Sequence, residues 1–130
     1  MDNRGTLSYF NDFNLSSVKR IYILEHPETS IVRAWQGHQH ENKWFHVVSG
    51  SFKIVLVKPD NWASPSADLG CQEYHLTVEN NQVLHVPGGY ATGFKAIESD
   101  SKMLVFSNFS MEESMNDDFR FEKDKWYNWY

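Results

Sequence analysis

Three histidines and a lysine lie close together in the stretch VRAWQGHQHENKWFHVVSG, residues 32–50: His38, His40, Lys43 and His46. An imidazole with a pKa of about 6.5 can accept and return a proton near neutral pH, and its neutral form binds transition metals. Side chains alternate along an extended chain, so His38 and His40 are predicted to share one side, whereas His46 faces away from Lys43. The stretch is therefore a proton-transfer site, a metal site, or a strand whose histidines only pack.

The segments that must position these residues have the pattern of β-strands. Runs rich in Val, Ile, Phe and Tyr recur between turn residues: TLSYF, VKRIYILEH, SIVRAW, KWFHVVSG, SFKIVLVKP, CQEYHLTV, QVLHVP and SKMLVFSNFS. Many short strands of this kind are typical of a sandwich or a small barrel. Gly50 and Ser51 are short enough to form a hairpin that pairs KWFHVV with FKIVLV.

Two features are predicted near the C-terminus. Ser110, followed three residues later by Glu113, indicates a capping box and one short helix. The segment KWYNWY holds four aromatic residues in six, which is too apolar for a free tail. We expect it to cover a neighbouring surface or a second subunit, and dimerisation is the preferred interpretation.

Length and composition exclude several classes of protein. The 130 residues suit a single domain, 1–130. The net charge is −5 and no Lys/Arg cluster exceeds two residues, which excludes a general nucleic-acid binder. No apolar run approaches the roughly 18 residues that cross a bilayer, and the first residues do not resemble a signal peptide. With Cys71 as the single cysteine, we expect a cytoplasmic protein without disulfides.

Two segments resemble the motifs of the cupin superfamily, which are a Gly, His-x-His, Glu and Gly series and a Pro-x-Gly followed by His. Counting back from Gly50, Lys43 holds the position of the Glu ligand. His38 then holds the second His position and Gln36 the first, and in VPGGYATGF the last His position holds Thr92. A transition metal needs three or four N, O or S donors, and an ammonium group would repel it. This alignment predicts a metal-free site.

Within the cupins, the chain resembles the nucleotide-sugar branch, namely the WxcM-like dTDP-4-keto-6-deoxyglucose 3,4-ketoisomerases and the RmlC-like dTDP-4-dehydrorhamnose 3,5-epimerases. DNRGTL is similar to their D-x-R-G-x-L start, and VKRIYILEHPETSIVRAWQGH is similar to the KR-x-Y strand that leads into RG-x-HAH. VPGGYATGF resembles the epimerases' P-x-G-x-AHGF. The resemblance covers most of the chain and implies an all-β double-stranded β-helix, the RmlC-like cupin jelly roll.

The resemblance implies a metal-independent isomerase without a cofactor, acting as a homodimer on a nucleotide-linked keto-deoxysugar. Moving a keto group between neighbouring carbons needs a base that removes an α-proton and an acid that returns it, and one imidazole can do both. His38 is predicted to be this group, with His40 beside it. Lys43 falls where the epimerases carry an active-site lysine and would stabilise the enediolate oxyanion. Contacts to the diphosphate or the sugar are implied for the remaining site residues: Arg4, Arg20, Tyr22, Arg33, Gln36, Tyr90 and Thr92.

Two alternatives keep the nucleotide-sugar ligand but replace the ketoisomerase reaction. Epimerisation needs an acid opposite the base, often a tyrosine, and the strand MLVFSNFS offers Phe106 and Phe109 instead. Tyr22 or Tyr90 could approach from elsewhere. The second alternative is a non-catalytic nucleotide-sugar-binding cupin, which the histidines lost at two motif positions would permit.

A third alternative is a metal-dependent cupin with His38 and His40 as ligands, which requires added Fe, Mn or Zn. The remaining histidines are predicted to be structural: His26, His75 and His85.

Overall fold

The computed structural model describes residues 4–130, so Asp2 and Asn3 of the DNRGTL motif lie outside the described part. The elements, in chain order, are β1 (Arg20–His26), β2 (Val32–His38), β3 (Lys43–Ser49), β4 (Ser51–Val57), β5 (Gln72–Thr77), β6 (Val83–Val86), β7 (Tyr90–Ala96), β8 (Ser101–Ser107), α1 (Met111–Met115) and β9 (Phe119–Arg120).

The strands form two antiparallel sheets. One has the order β1-β8-β3-β6 and the other β5-β4-β7-β2-β9. Neighbours in a sheet are mostly distant in sequence, as β1 beside β8 and β2 beside β7 show. The predicted all-β class is confirmed.

The core lies between the sheets because alternate residues of each strand point inward. Inward residues of β3 and β4 are buried almost completely, and they meet inward residues of β7 and β8. The members of this core include Phe45, Val47, Phe52, Ile54, Leu56, Phe94, Met103 and Val105.

The predicted hairpin at Gly50 is wrong. β3 pairs with β6 and β8, whereas β4 pairs with β5 and β7, so the chain changes sheets at Gly50 instead of folding back. Gly50 has a φ of +70°, and a Cβ there would lie 2.1 Å from Oγ of the buried Ser101. The hairpin prediction used only the length of the connection. The pairing is instead decided by the inward residues of β3 and β4, which face each other across the core from different sheets.

The predicted strand TLSYF is also absent, since residues 6–10 form no strand. The last residue of this segment, Phe10, and the residues that follow it lie on the outer face of the four-stranded sheet. Phe10 packs edge-on against His46 at 4.7 Å between ring centroids, and Phe13 lies 5.2 Å from Phe106. We call residues 9–17 the N-terminal arm.

The aromatic C-terminus covers the outer face of the five-stranded sheet of its own chain. Trp126 and Trp129 are buried against Trp35, Val55 and Val57. The indole nitrogens of Trp35 and Trp129 both donate to the backbone oxygen of Lys123. Of the two interpretations of KWYNWY, the neighbouring surface is therefore correct, and this segment gives no support to a dimer.

The predicted capping box is confirmed at α1. Ser110 Oγ accepts from the Glu113 amide at 3.2 Å, and the Glu113 carboxylate accepts from the Ser110 amide at 2.9 Å. The two-residue β9 after this helix was not predicted, because it exists only through its pairing with Gln36 and Gly37 of β2. In residues 4–130 no helix is long and apolar enough to cross a membrane.

Gly50→Ala should destabilise the fold. The substitution places a side chain in the left-handed region and against Ser101, so we expect the free energy of unfolding to fall by about 2–4 kcal/mol. Urea denaturation measures this. Gly70→Ala is the matched control because a Cβ at Gly70 meets nothing within 4 Å. Equal stability of the two variants would contradict the account of the sheet crossing.

Candidate functional site

A cavity of about 370 Å³ opens between the two sheets, and we call it the site cavity. Strands β1 and β3 of one sheet and β2, β7 and β9 of the other contribute to its wall. The residues that line it are Tyr22, Leu24, Val32, Arg33, Ala34, Trp35, Gln36, His38, Lys43, Phe45, Thr92, Phe94, Arg120 and Phe121.

An irregularity in β2 aligns its polar residues with the cavity. Arg33 pairs with Phe94 and Gln36 pairs with Thr92, so β2 has one residue more than β7 between these two pairs. Directly opposed residues share a face of the sheet, and a bulge changes the alternation by one position. Arg33 and Gln36 therefore both lie on the inner face, which a regular strand would not allow at this spacing.

His38 is the last residue of β2 and is 5% exposed. Its Nδ1 lies 2.6 Å from the backbone carbonyl oxygen of Asp117. A carbonyl can only accept, so Nδ1 carries the proton and donates, and in the neutral ring Nε2 keeps its lone pair. Nε2 is buried and has no hydrogen-bond partner within residues 4–130. Burial, followed by the positive charge of Lys43, lowers the pKa of His38 below 6.5.

Asp117 positions His38 in a second way, through the turn that follows β2. Its carboxylate accepts backbone N–H groups from Gln39 at 2.7 Å, His40 at 2.8 Å and Glu41 at 2.9 Å. The turn and the imidazole are thus held by the same residue. Sequence reasoning missed Asp117, since it lies after the short helix and about eighty residues from the turn that it holds.

Lys43 is the first residue of β3 and is 7% exposed. Its Nζ donates to Gln36 Oε1 at 3.4 Å and lies 5.8 Å from the centre of the Tyr22 ring. Burial lowers the pKa of Lys43 to about 8, although the carboxylate of Glu41 opposes this effect. The amine therefore stays mostly protonated at neutral pH, yet can lose its proton at mildly alkaline pH.

Tyr22 presents a neutral phenol to the cavity. Burial raises its pKa to about 12, and the positive charge of Arg20 offsets part of the effect. The Arg20 guanidinium lies 5.3 Å from the ring centre. At neutral pH Tyr22 can donate a hydrogen bond to a ligand.

Glu41 is a second residue that sequence reasoning missed. Its side chain is fully buried and accepts from Ser107 Oγ at 2.5 Å, Ser114 Oγ at 2.7 Å and Arg20 Nη2 at 3.2 Å. Glu41 Oε1, which accepts from Ser114, also lies 3.4 Å from His38 Nδ1. The network ties α1, β8 and β1 to the turn after β2. In the sequence, the one signal for Glu41 is its position three residues after His38.

The structure brings some of the predicted site residues together and leaves others outside. His38, Lys43, Tyr22, Arg33, Gln36 and Thr92 line the site cavity. Arg20 does not line it and instead pairs with Glu41. Tyr90 packs against the core, and Arg4 is exposed and does not line the cavity.

The prediction that His40 shares a side with His38 is wrong. β2 ends at His38, and the chain turns at once, which leaves His40 exposed. The alternative with His38 and His40 as metal ligands needs both side chains on one site. Within residues 4–130, no group of three or more His, Cys, Asp or Glu side chains is placed to hold a metal ion.

Arg120 adds a cation that was not predicted. It lines the cavity, and its guanidinium forms two hydrogen bonds with Asp118, at 2.8 and 3.2 Å. Asp118 Oδ1 also accepts from Gln36 Nε2 at 3.2 Å, so the amide that faces Lys43 is held from its other end. Arg33 and Lys43 also line the cavity, and their charges suit an anionic ligand, whereas the charge of Arg120 is paired with Asp118.

No family model and no curated protein matches the chain. Solved structures do share its fold. A 3,4-ketoisomerase from Helicobacter canadensis has a TM-score of 0.71 and 22% identity over 92% of this chain and 83% of its own. A dTDP-4-dehydrorhamnose 3,5-epimerase from Bacillus anthracis, solved with TDP and PPi bound, has a TM-score of 0.71 and 18% identity over 95% of this chain and 74% of its own.

An RmlC epimerase from Mycobacterium tuberculosis has a TM-score of 0.66 and 18% identity over 81% of this chain. The chain spans about half of that epimerase, 52% of its length. At these identities the likeness concerns the fold, and it agrees with the resemblance found in the sequence. The chain therefore has the RmlC-like cupin fold.

Proposed function

We propose that the chain is a metal-independent sugar-nucleotide isomerase that moves the keto group of a dTDP-4-keto-6-deoxyhexose from C4 to C3. One observation carries the proposal. The buried His38 has Nδ1 held by a carbonyl and Nε2 without a partner in the described residues, on the wall of a cavity that also contains Lys43. A neutral imidazole in this tautomer is a general base at neutral pH.

In the proposed reaction, His38 Nε2 removes the proton from C3 of the 4-keto sugar. The electron pair of that C–H bond forms the C3–C4 double bond, and the C4 oxygen becomes an oxyanion. Lys43 stabilises this charge because its ammonium group is buried and already in place. A proton moves from the C3 hydroxyl to the C4 oxygen. The His38 imidazolium exchanges its proton with solvent and then protonates C4, which leaves the ketone at C3.

The charge at the mouth supports a diphosphate ligand. Arg33 is exposed there and forms no side-chain hydrogen bond or ion pair within residues 4–130, and Arg120 is 65% exposed. Guanidinium groups suit phosphate oxygens because they donate two parallel hydrogen bonds. The cavity volume lies near the lower end of the range of about 300–1,000 Å³ for small-molecule sites. We therefore assign the sugar to the cavity and the diphosphate to its mouth.

The structural neighbours support the same ligand class. They are a 3,4-ketoisomerase and a dTDP-4-dehydrorhamnose 3,5-epimerase, the latter solved with TDP bound. These activities are those of the neighbours. For this chain, the support for the same ligand class is the charge of the residues that line the site cavity.

A 3,5-epimerase is the second candidate, and the position of Tyr22 favours it. Tyr22 lines the cavity from β1, so a phenol is present although β8 carries Phe106, which packs outside against Phe13. A neutral tyrosine could return a proton to the face opposite His38. A non-catalytic nucleotide-sugar-binding protein would use the same cations without proton transfer.

Two further features belong to the proposal. We propose a cytoplasmic location and a homodimer. The support for the homodimer is a pair of apolar side chains on β1, an edge strand of its sheet. Ile21 and Ile23 are 56% and 65% exposed on the outer face of this strand. A second copy is the partner that would cover them.

The proposal predicts deuterium exchange at the sugar ring. The chelator-treated protein, incubated in deuterated water with a dTDP-4-keto-6-deoxyhexose and followed by NMR, should incorporate deuterium and form a new keto sugar. His38→Ala should lower the rate by about 10²–10⁴-fold, because it removes the general base. Lys43→Ala should lower it by about 10²–10³-fold, because it removes the oxyanion partner.

His46→Ala is the matched control, since His46 lies on the outer face, where its Nδ1 bonds the Gln82 carbonyl oxygen. The position of the label distinguishes the reactions, because epimerisation labels C3 and C5 whereas ketoisomerisation labels C4. Exchange that depends on added metal would sink the metal-independent mechanism. Binding of dTDP without any exchange would favour the non-catalytic alternative.

The site also predicts a bell-shaped pH profile of kcat/KM. Activity needs neutral His38 and protonated Lys43, so it should fall at pH values below 6.5, where His38 gains its proton, and above about 8, where Lys43 loses its proton. Lys43→Arg keeps the charge at alkaline pH and should remove the alkaline limb even if the rate is lower. An unchanged alkaline limb in this variant would show that another group titrates there.

A further inference from the structure

A second and larger concavity lies on another part of the molecule. It is an open groove of about 980 Å³ between the N-terminal arm and residues of β3, β5 and β6, and we call it the arm groove. None of its lining residues lines the site cavity. β5 and β6 are edge strands of the two sheets, so the groove runs along the edge of the sandwich where neither sheet continues.

Two tyrosines present open ring surface to the arm groove. Tyr9, on the arm, is 66% exposed, and Tyr74, on β5, is 37% exposed. Neither ring packs against another aromatic ring of the described chain. The other aromatic residues of the groove are engaged, since Trp44 stacks on His85 at 4.9 Å and Phe10 contacts His46.

The groove is also lined by amide and carboxylate side chains. Asn11 and Asp12 come from the arm, and Asn81 and Gln82 come from the turn before β6. Within residues 4–130, the side chains of these four residues form no hydrogen bond with protein atoms. Each amide has two N–H donors and an acceptor oxygen, and a carboxylate accepts at both oxygens.

The charge of the arm groove differs from that of the site cavity. No lysine or arginine lines the arm groove, whereas Arg33, Lys43 and Arg120 line the site cavity. A nucleotide diphosphate would find no cation in the arm groove. The groove suits an uncharged ligand that has apolar faces for tyrosine rings and many hydroxyl groups for amides.

We propose that the arm groove is a second binding site, which takes a neutral oligosaccharide of hexopyranose units. A pyranose ring has C–H groups on its faces, which pack on an aromatic ring, and hydroxyl groups around its edge, which pair with Asn, Gln and Asp side chains. The volume lies at the upper end of the range for ligand sites, about 300–1,000 Å³, and so suits several sugar units. This site does not depend on the reaction proposed for the site cavity.

The test is NMR of the ¹⁵N-labelled full chain with four neutral trisaccharides at about 10 mM each, namely maltotriose, cellotriose, β-1,4-mannotriose and N,N′,N″-triacetylchitotriose. At least one should shift backbone amide signals of residues 9–17 and 74–84, with a Kd of about 1 mM or tighter. Tyr9→Ala and Tyr74→Ala should each weaken binding by about two- to tenfold, as expected for the loss of one aromatic contact. dTDP should leave these signals in place and shift signals around the site cavity.

Tyr130→Ala is the matched control. Tyr130 is 73% exposed, and its ring lies over Lys95 and Lys123, away from the groove. Its loss should leave the trisaccharide affinity unchanged. The proposal is overturned if no trisaccharide shifts the groove signals, or if Tyr9→Ala and Tyr74→Ala bind as the native chain does. A change of oligomeric state in Tyr9→Ala without any sugar binding would also overturn it, since the groove would then hold a second copy.

Discussion

The site depends on one residue, Asp117, which holds both the turn after β2 and the imidazole of His38. The carboxylate satisfies three successive backbone N–H groups that would otherwise be left without partners in a tight turn. The carbonyl of the same residue fixes the proton of His38 on Nδ1. A buried histidine without this constraint could rotate or change tautomer. With it, the lone pair stays on Nε2, which has no hydrogen-bond partner within residues 4–130.

The two buried charged residues next to His38, Glu41 and Lys43, differ in how well their charges are satisfied by neighbouring groups. Glu41 is buried with Arg20 and two hydroxyl groups as partners, so its charge is satisfied inside the protein. Lys43 has a long contact to Gln36 and lies over the Tyr22 ring, which leaves its charge less well satisfied. This difference explains why burial lowers the pKa of Lys43 to about 8. A ligand oxyanion would supply the partner that the ammonium group lacks.

Local sequence patterns predicted the features that depend on residues close together in the chain. Alternation predicted most strands, and the spacing of Ser110 and Glu113 predicted the start of α1. The pairing of strands could not be read in this way, because Gly50 joins two sheets and the connection looks like a hairpin in the sequence. The motif positions predicted His38, Lys43, Gln36 and Thr92 as site residues, and all four line the site cavity. Asp117 and Arg120 were missed because folding brings them to β2 from a segment about eighty residues away.

The state of His38 tests the account most directly. Long-range ¹H–¹⁵N correlation spectra of histidine-labelled protein at neutral pH distinguish a protonated ring nitrogen from one with a free lone pair. The structure predicts a neutral His38 ring with the proton on Nδ1 and a bare Nε2. A proton on Nε2, or a doubly protonated ring at neutral pH, would contradict the assignment of His38 as the base.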